Sequence, residues 1–245
     1  MNSPLEKVCS KYIANTKGEH LSSKPVRIVI CAKAPLPGLA KTRLISALGA
    51  QGAAHLARQL LVFSVEQALK ANIGIVELCV TPSMQDPIWH RMALSKALQW
   101  SNQDEGDLGD RLARVAQRVL ANGEAVLLMG TDCPGLTAEC IAAAAHALSH
   151  YDSCLVPVSD GGYALLGLNQ YLGSVFIDMP WSTAAVARLT RERLLAQGLR
   201  LHERAELHDI DEPEDLQYLP AQLRAASTTI DSKESLPHLS EQLGQ

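Results

Sequence analysis

Aromatic residues are scarce in this 245-residue chain: two Phe, five Tyr and three Trp, or 4%. Its core must be built from Ala, Leu, Val and Ile, and few rings are left to stack on nucleobases in a polymer. Positive charge is also short. Lys and Arg number 22 against 26 Asp and Glu, a net charge of −4, so no basic field exists to hold a nucleic-acid polymer. No two of Cys9, Cys31, Cys79, Cys133, Cys140 and Cys154 stand at C-x-x-C spacing, which argues against a zinc ribbon. No apolar run is long enough to span a bilayer. Met1–Lys24 is polar and lacks the apolar centre of a signal peptide. Cys31, Cys79 and Cys154 lie within apolar runs, and free thiols in a core fit a reducing compartment. The expected location is the cytoplasm.

Hydrophobic residues reach 47% and charged residues 20%, as in an ordinary globular protein. The order predicts one α/β domain over 25–225, between a loose N-terminal extension (1–24) and a polar, flexible C-terminal tail (226–245). Strands are predicted at Val26–Ala32, Gly74–Thr81, Leu98–Trp100, from Ala125 to about Asp132, Asp152–Val158, Tyr163–Leu168, Val175–Ile177 and Leu199–Glu203. Helices are predicted at Leu44–Lys70, Asp86–Ala97, from about Asp110 to Ala121, Thr137–His150, Ser182–Gln197 and from about Asp215 to Ala225. Early alternation of strand and helix implies a mostly parallel sheet. The close pair Asp152–Val158 and Tyr163–Leu168 adds an antiparallel element.

Ala125–Leu136 is an apolar run ended by Asp132 and the turn residues Pro134-Gly135. In open α/β sheets, ligands gather at the carboxyl ends of strands. Asp132 there is either a metal ligand for a phosphorylated substrate or a cap for the following helix. The neighbouring Cys133 has little nucleophilic promise, because an adjacent acid raises a thiol pKa.

Four more stretches carry candidate chemistry. Ala32-Lys33-Ala34-Pro35-Leu36-Pro37-Gly38-Leu39-Ala40-Lys41-Thr42-Arg43 follows the first strand and opens a helix, a place suited to phosphate. Lys33, Lys41 and Arg43 supply cations, but the glycine pattern of an NTPase P-loop is missing. Gln103-Asp104-Glu105-Gly106-Asp107-Leu108-Gly109 offers a base-reading amide at Gln103 and close approach at Gly106 and Gly109; its plainer reading is a solvated turn with Asp107 as a helix cap. Ser159-Asp160-Gly161-Gly162-Tyr163 is either a hairpin turn or a sugar or acceptor site with Asp160 as base. His208-Asp209-Ile210-Asp211-Glu212-Pro213 puts Asp209 and Asp211 on one face of an extended chain. There they bind a cation, with His208 as a further ligand, or Asp211 or Glu212 caps a helix. Trp181, ahead of Ser182-Thr183, lines a pocket or packs in the core; Ser182-Thr183 would cap the next helix.

In their order, Ala32–Leu44, Gln103–Arg111, Gly130–Leu136, Pro157–Leu168, Trp181-Ser182-Thr183 and Asp209–Leu216 resemble the bacterial DUF2064 family, regarded as glycosyltransferases linked to arsenosugar biosynthesis. The resemblance implies a GT-A, nucleotide-diphospho-sugar transferase fold: a Rossmann-like mixed, mostly parallel sheet flanked by helices. More distantly the layout is similar to nucleotidyltransferases such as molybdenum-cofactor guanylyltransferase. It implies phosphate binding at Ala32, Lys33, Pro35, Gly38, Lys41 and Arg43, and base contact at Gln103, Gly106, Asp107 and Gly109. Mg2+ or Mn2+ would sit on Asp132 with Asp209 or Asp211, and the sugar or acceptor on Asp160, Gly161, Gly162, Tyr163 and Trp181. Glycosyltransferases usually carry Asp-x-Asp, whereas this chain has a single Asp in Thr131-Asp132-Cys133. The expected function is metal-dependent glycosyl transfer from a nucleotide-diphospho-sugar to a small acceptor, Asp132 and Asp160 being the catalytic acids. The alternatives are nucleotidyl transfer with pyrophosphate release and a non-catalytic nucleotide-binding protein. A homo-oligomer is left open.

Overall fold

The computed structural model describes residues 24–228. The expectations of a loose extension and a flexible tail fall outside them, apart from Lys24 and the backbone of 226–228. Seven strands form one sheet: β1 (Val26–Lys33), β2 (Gly74–Thr81), β3 (Gln99–Asn102), β4 (Ala125–Met129), β5 (Ser153–Pro157), β6 (Tyr163–Leu168) and β7 (Leu201–Glu203). Their order is β3-β2-β1-β4-β6-β5-β7. Pairing is parallel except for β6, which runs antiparallel to both β4 and β5. The expected mixed, mostly parallel fold is therefore present, with its reversal at β6.

The helices are α1 (Ile45–Ala71), α2 (Pro87–His90), α3 (Leu108–Ala121), α4 (Ala138–Ala147), α5 (Val186–Ala196) and α6 (Ala221–Thr228). The inner strands β1, β2, β4, β5 and β6 bury both faces, as runs of β-branched and aliphatic residues demand, while the edge strands β3 and β7 are only partly buried. Ile28, Ile30, Leu127 and Met129 pack with Leu61, Val65, Ile141 and Ala144 of α1 and α4. Their alternates Val29, Val126 and Leu128 pack with Leu112, Val115 and Val119 of α3 and with Ala187 and Leu194 of α5. The result is a helix–sheet–helix sandwich. Each fully buried Leu or Ile contributes about 1.5–3 kcal/mol to it.

Four predicted elements differ. The helix expected from about Asp215 to Ala225 is divided into a 3-10 stretch over Pro213–Tyr218 and α6, with Leu219-Pro220 between them, because proline cannot continue a helix. Asp86–Ala97 is helical only over Pro87–His90, capped by Asp86, whose side chain accepts from Ile88 N at 2.9 Å. Trp89 and Met92 are buried as their spacing required, but Ala93 adopts φ 49°, which no continuing helix allows. Val175–Ile177 is no strand; a 3-10 turn covers Gly173–Val175 and places Val175 and Phe176 in the core. The helix expected from Ser182 begins at Val186. Ser182 has φ 62° and so lies outside it, while Thr183 Oγ1 donates to Pro180 O at 2.7 Å and weakly receives Ala185 N.

Candidate functional site

The loops that leave the carboxyl ends of β1, β4 and β5 open onto one cleft of about 390 Å3, within the range of small-molecule sites. Cys31, Met129, Gly130 and Val158 mark those strand ends. The amino end of the antiparallel β6 supplies Tyr163 and Ala164. Of the expected residues, Arg43, Asp132, Asp160, Gly162, Tyr163, Trp181, Asp209 and Asp211 line the cleft.

Asp132 does not cap the helix after it. Thr137 is the cap, its hydroxyl receiving Cys140 N at 3.3 Å. The carboxylate of Asp132 is left half-exposed and meets Lys41 Nζ at 2.5 Å. Lys41 Nζ also donates to Asp211 Oδ1 at 2.7 Å. Only 6% of the Lys41 side chain is exposed, and its backbone sits in the left-handed region at φ 47°, an uncommon conformation for a side chain of this size. Burial by itself would push the ammonium down, but the charges of Asp132 and Asp211 hold it above its ordinary value.

The late acidic segment is fixed through its backbone. Ile210 is fully buried and its N–H donates to Asp132 O at 2.9 Å. Asp209 and Asp211, on either side of it, fall in the cleft. One carboxylate oxygen from each of Asp160, Asp209 and Asp211 lies within 4.8 Å of the others. Burial, then the charges of Asp160 and Asp211, push the Asp209 carboxyl up to about 6. The helical cap in this segment is Glu212, which forms a reciprocal box with Asp215, so Asp211 is free for Lys41. His208 is turned elsewhere, stacked on Tyr218 at 4.0 Å with Nδ1 3.0 Å from Ser159 Oγ.

The turn after β5 is the expected local turn, and its acid also reaches the cleft. Asp160 Oδ1 accepts from Gly162 N at 2.7 Å, a local turn bond, while the carboxylate joins the acidic group. Gly161 is at φ 89°, where a Cβ would sit 2.3 Å from Ala184 O. On the wall beyond, the Tyr163 hydroxyl and Trp181 Nε1 are buried without a hydrogen-bond partner. Burial pushes the Tyr163 phenol up. Trp181 rests on Gly109, where a Cβ would come within 2.8 Å of Nε1; this explains the glycine by packing.

The remaining expected residues do not line the cleft. Gln103 is buried and its amide donates to Ala32 O and Cys79 O, both at 3.0 Å, stapling β1 and β2 to the loop. Asp107 caps α3 in a box with Asp110. Gly106 lies in the same exposed loop, Lys33 is exposed at the end of β1, and Gly38 is exposed on the loop after it, which also holds half-buried Pro35. Gly161 packs against Ala184, just ahead of α5, and its carbonyl accepts from Ala187 N at 2.8 Å. Sequence reasoning missed Leu108, Leu112, Leu128, Ser182, Thr183 and Val186 on the walls. Leu108 carries a signal: it is an apolar residue at the first turn of a helix and 44% exposed. Cys133 is inert, its thiol pushed up to about 12 by burial.

The acids fit a divalent cation. All four are hard oxygen donors, which suit Mg2+ or Mn2+. They also carry more negative charge than Lys41 and Arg43 balance, and Arg43 is itself paired with Glu212 at 3.2 Å. The partnerless Tyr163 hydroxyl in the same cleft also points to a ligand. Among the described residues no helix is long and apolar enough to cross a membrane.

Residues 64–183 match the family of uncharacterized proteins conserved in bacteria, DUF2064, the family whose resemblance the motifs carry. That span includes Asp132, Asp160 and Tyr163 but neither Lys41 nor Asp209. A nucleotide-diphospho-sugar transferase, so named provisionally, from Desulfovibrio desulfuricans G20 is 29% identical, with a TM-score of 0.74 over 81% of this chain and 87% of that one. A 4-diphosphocytidyl-2C-methyl-D-erythritol synthase from Anaerococcus prevotii DSM 20548 shares the fold at 11% identity and a TM-score of 0.55, over 82% of this chain and 97% of its own. A CMP-2-keto-3-deoxy-manno-octonic acid synthetase complexed with CTP shares it at 13% and 0.51, over 82% and 98%. No curated protein matches the chain. The fold is that of nucleotide-diphospho-sugar transferases and cytidylyltransferases.

Proposed function

We propose that this chain is a metal-dependent transferase that takes a nucleotide-diphospho-sugar as donor and a small hydroxyl compound as acceptor. The observation that carries this reading is the cleft itself. Four aspartates from three separate loops converge with Lys41 and Arg43 where the strands of an α/β sheet end, which is where such sheets bind ligands. The similarity to the Desulfovibrio protein supports the donor class.

Asp132, Asp209 and Asp211 would hold Mg2+ or Mn2+, with Asp160 in reach. When bound, the ion supplies positive charge against a leaving diphosphate. The chain's own residues do the rest. Arg43 reaches into the cleft from the rim and grips phosphate oxygens. Asp160 takes the proton of the acceptor hydroxyl as the glycosidic bond forms. The Tyr163 hydroxyl, buried without a partner, would donate to the sugar or acceptor, and Trp181 forms the wall beside it. The apolar side chains Leu112, Leu128 and Val186 exclude water from that wall. Rate then comes from positioning and charge stabilisation.

A nucleotidyl transfer is the second reading, favoured by the cytidylyltransferases that share the fold. The two differ in product. Incubation of the protein with UDP- and GDP-sugars, Mn2+ and a panel of alcohols should release nucleoside diphosphate. Release of pyrophosphate from nucleoside triphosphates and sugar phosphates would replace this reading with the second. Binding without turnover in either assay would leave a nucleotide-binding protein.

A further inference from the structure

Asp211 belongs to two arrangements at once. It accepts Lys41 Nζ at 2.7 Å, and it is one of the three carboxylates gathered within 4.8 Å. The same ammonium holds Asp132 at 2.5 Å. A cation between these two acids thus leaves fewer free carboxylate oxygens for a second one. Lys41 is also almost fully enclosed and set on a left-handed residue, so it is no loose surface lysine that happens to point inward. The neighbouring cation, Arg43, is 59% exposed and faces Glu212 instead.

We infer that Lys41 is a resident counter-ion that the divalent metal must displace, so that metal entry and release of Lys41 are one event. This rests on the metal reading above. A displaced ammonium needs another anion, and the diphosphate of the donor is the one the proposed function brings. Metal and diphosphate then favour each other's binding, as any linked pair must in both directions. The lysine acts as a positioning residue: it keeps Asp132 and Asp211 apart from their repulsion in the empty site and yields them to the filled one.

The test is Mn2+ titration of the full chain, followed by the electron-paramagnetic-resonance signal of free Mn2+, with no nucleotide present. Lys41→Met removes the competitor and should tighten Mn2+ binding by about ten-fold, in the range of ordinary coupling. Lys41→Arg keeps the charge and should stay as weak as the natural protein. Equal or weaker binding by a folded Lys41→Met protein overturns the exchange. A measurement on the natural chain covers the case in which the variant misfolds. Acylation of lysines by an N-hydroxysuccinimide ester, mapped by mass spectrometry, should rise at Lys41 when Mn2+ is added and stay constant at exposed Lys33. No rise at Lys41 while Mn2+ binds overturns it as well. Asp209→Asn separates the two readings: if Mn2+ binds the natural chain and loses affinity in Asp209→Asn, the metal reading stands whatever Lys41 does. If Mn2+ binds none of these proteins, both fall.

Discussion

The carboxylate of Glu77 is surrounded by more positive charge than it carries, whereas the four aspartates of the cleft are surrounded by less. Glu77 lies in β2 with 3% of its side chain exposed. Arg27 donates to Oε2 at 3.1 Å, Ser101 to Oε1 at 2.5 Å, and Arg118 to both oxygens. Arg27 is in turn anchored by Glu124 and Gln99. Burial would raise the Glu77 carboxyl, but hydrogen bonds from Arg118 and Ser101 and the charges of both arginines hold it below the usual range. Every lone pair has a donor, so nothing remains for a ligand. In the cleft, Lys41 is shared by Asp132 and Asp211, and Asp160 and Asp209 have no cation at hand among the pairs formed. A satisfied buried ion group locks strands to a helix; an acid group left in deficit is a place for a cation from outside.

That contrast breaks first at Asp132. Asp132→Asn keeps the shape and removes a charge from a group with too many. Transfer should fall about a thousand-fold, roughly 4 kcal/mol of barrier, while urea unfolding shifts by less than about 1 kcal/mol, because the residue is half-exposed. A steady-state assay beside a denaturation curve reads both. If stability collapses and turnover per folded molecule survives, Asp132 is structural like Glu77. The mirror experiment is Glu77→Gln. It leaves Arg27 and Arg118 without their charge partner and should cost about 3 kcal/mol in urea unfolding, with turnover of the folded fraction unchanged. Smaller again is Gly161→Ala. The cleft's acids are placed by backbone as much as by charge, and a Cβ at φ 89° against Ala184 O should cost about 2 kcal/mol. It should also weaken Mn2+ binding by moving Asp160. A drop in stability with Mn2+ affinity intact would show that the turn serves packing alone.

The two regions were also unequally legible. The limits of β2 and β6 are readable because apolar runs there meet Thr81-Pro82 at one end of β2 and Gly161-Gly162 ahead of β6. The helix expected over Asp86–Ala97 rested on Trp89 and Met92, and a four-residue helix followed by a turn buries the same two side chains. Asp132 and Asp160 stand out as acids at the ends of apolar runs, and Asp209 and Asp211 as acids that alternate along an extended stretch. What local pattern cannot show is that Lys41 crosses to Asp211, 170 residues away, since only the sheet order brings those loops together. Gln103 misleads for a related reason: an amide beside glycines suits a nucleobase, and it equally suits the backbone carbonyls of two neighbouring strands. Glu77 did carry a signal, a single acid inside an apolar strand, which demands buried partners.

The finest test of the contrast is the pH dependence of stability, because the two carboxylates are displaced in opposite directions. Asp209 binds its proton more tightly in the folded chain, at about 6 against an ordinary 3.8. Between those values the folded state holds more protons than the unfolded one, so this group's stabilisation is complete below about pH 4 and is lost as pH rises through about 6. Glu77 runs the other way: its folded carboxyl is held low, so its contribution is present above the ordinary value of 4.5 and is lost as pH falls through its lowered folded value. Urea unfolding without metal, followed from pH 4 to pH 7, should therefore show a decline in the Asp209 component. Asp209→Asn should flatten that decline, and Glu77→Gln should leave it in place. A profile that Asp209→Asn does not alter would mean that Asp209 has no raised proton affinity, and that the cleft's acids are not in the charge deficit that sets them apart from Glu77.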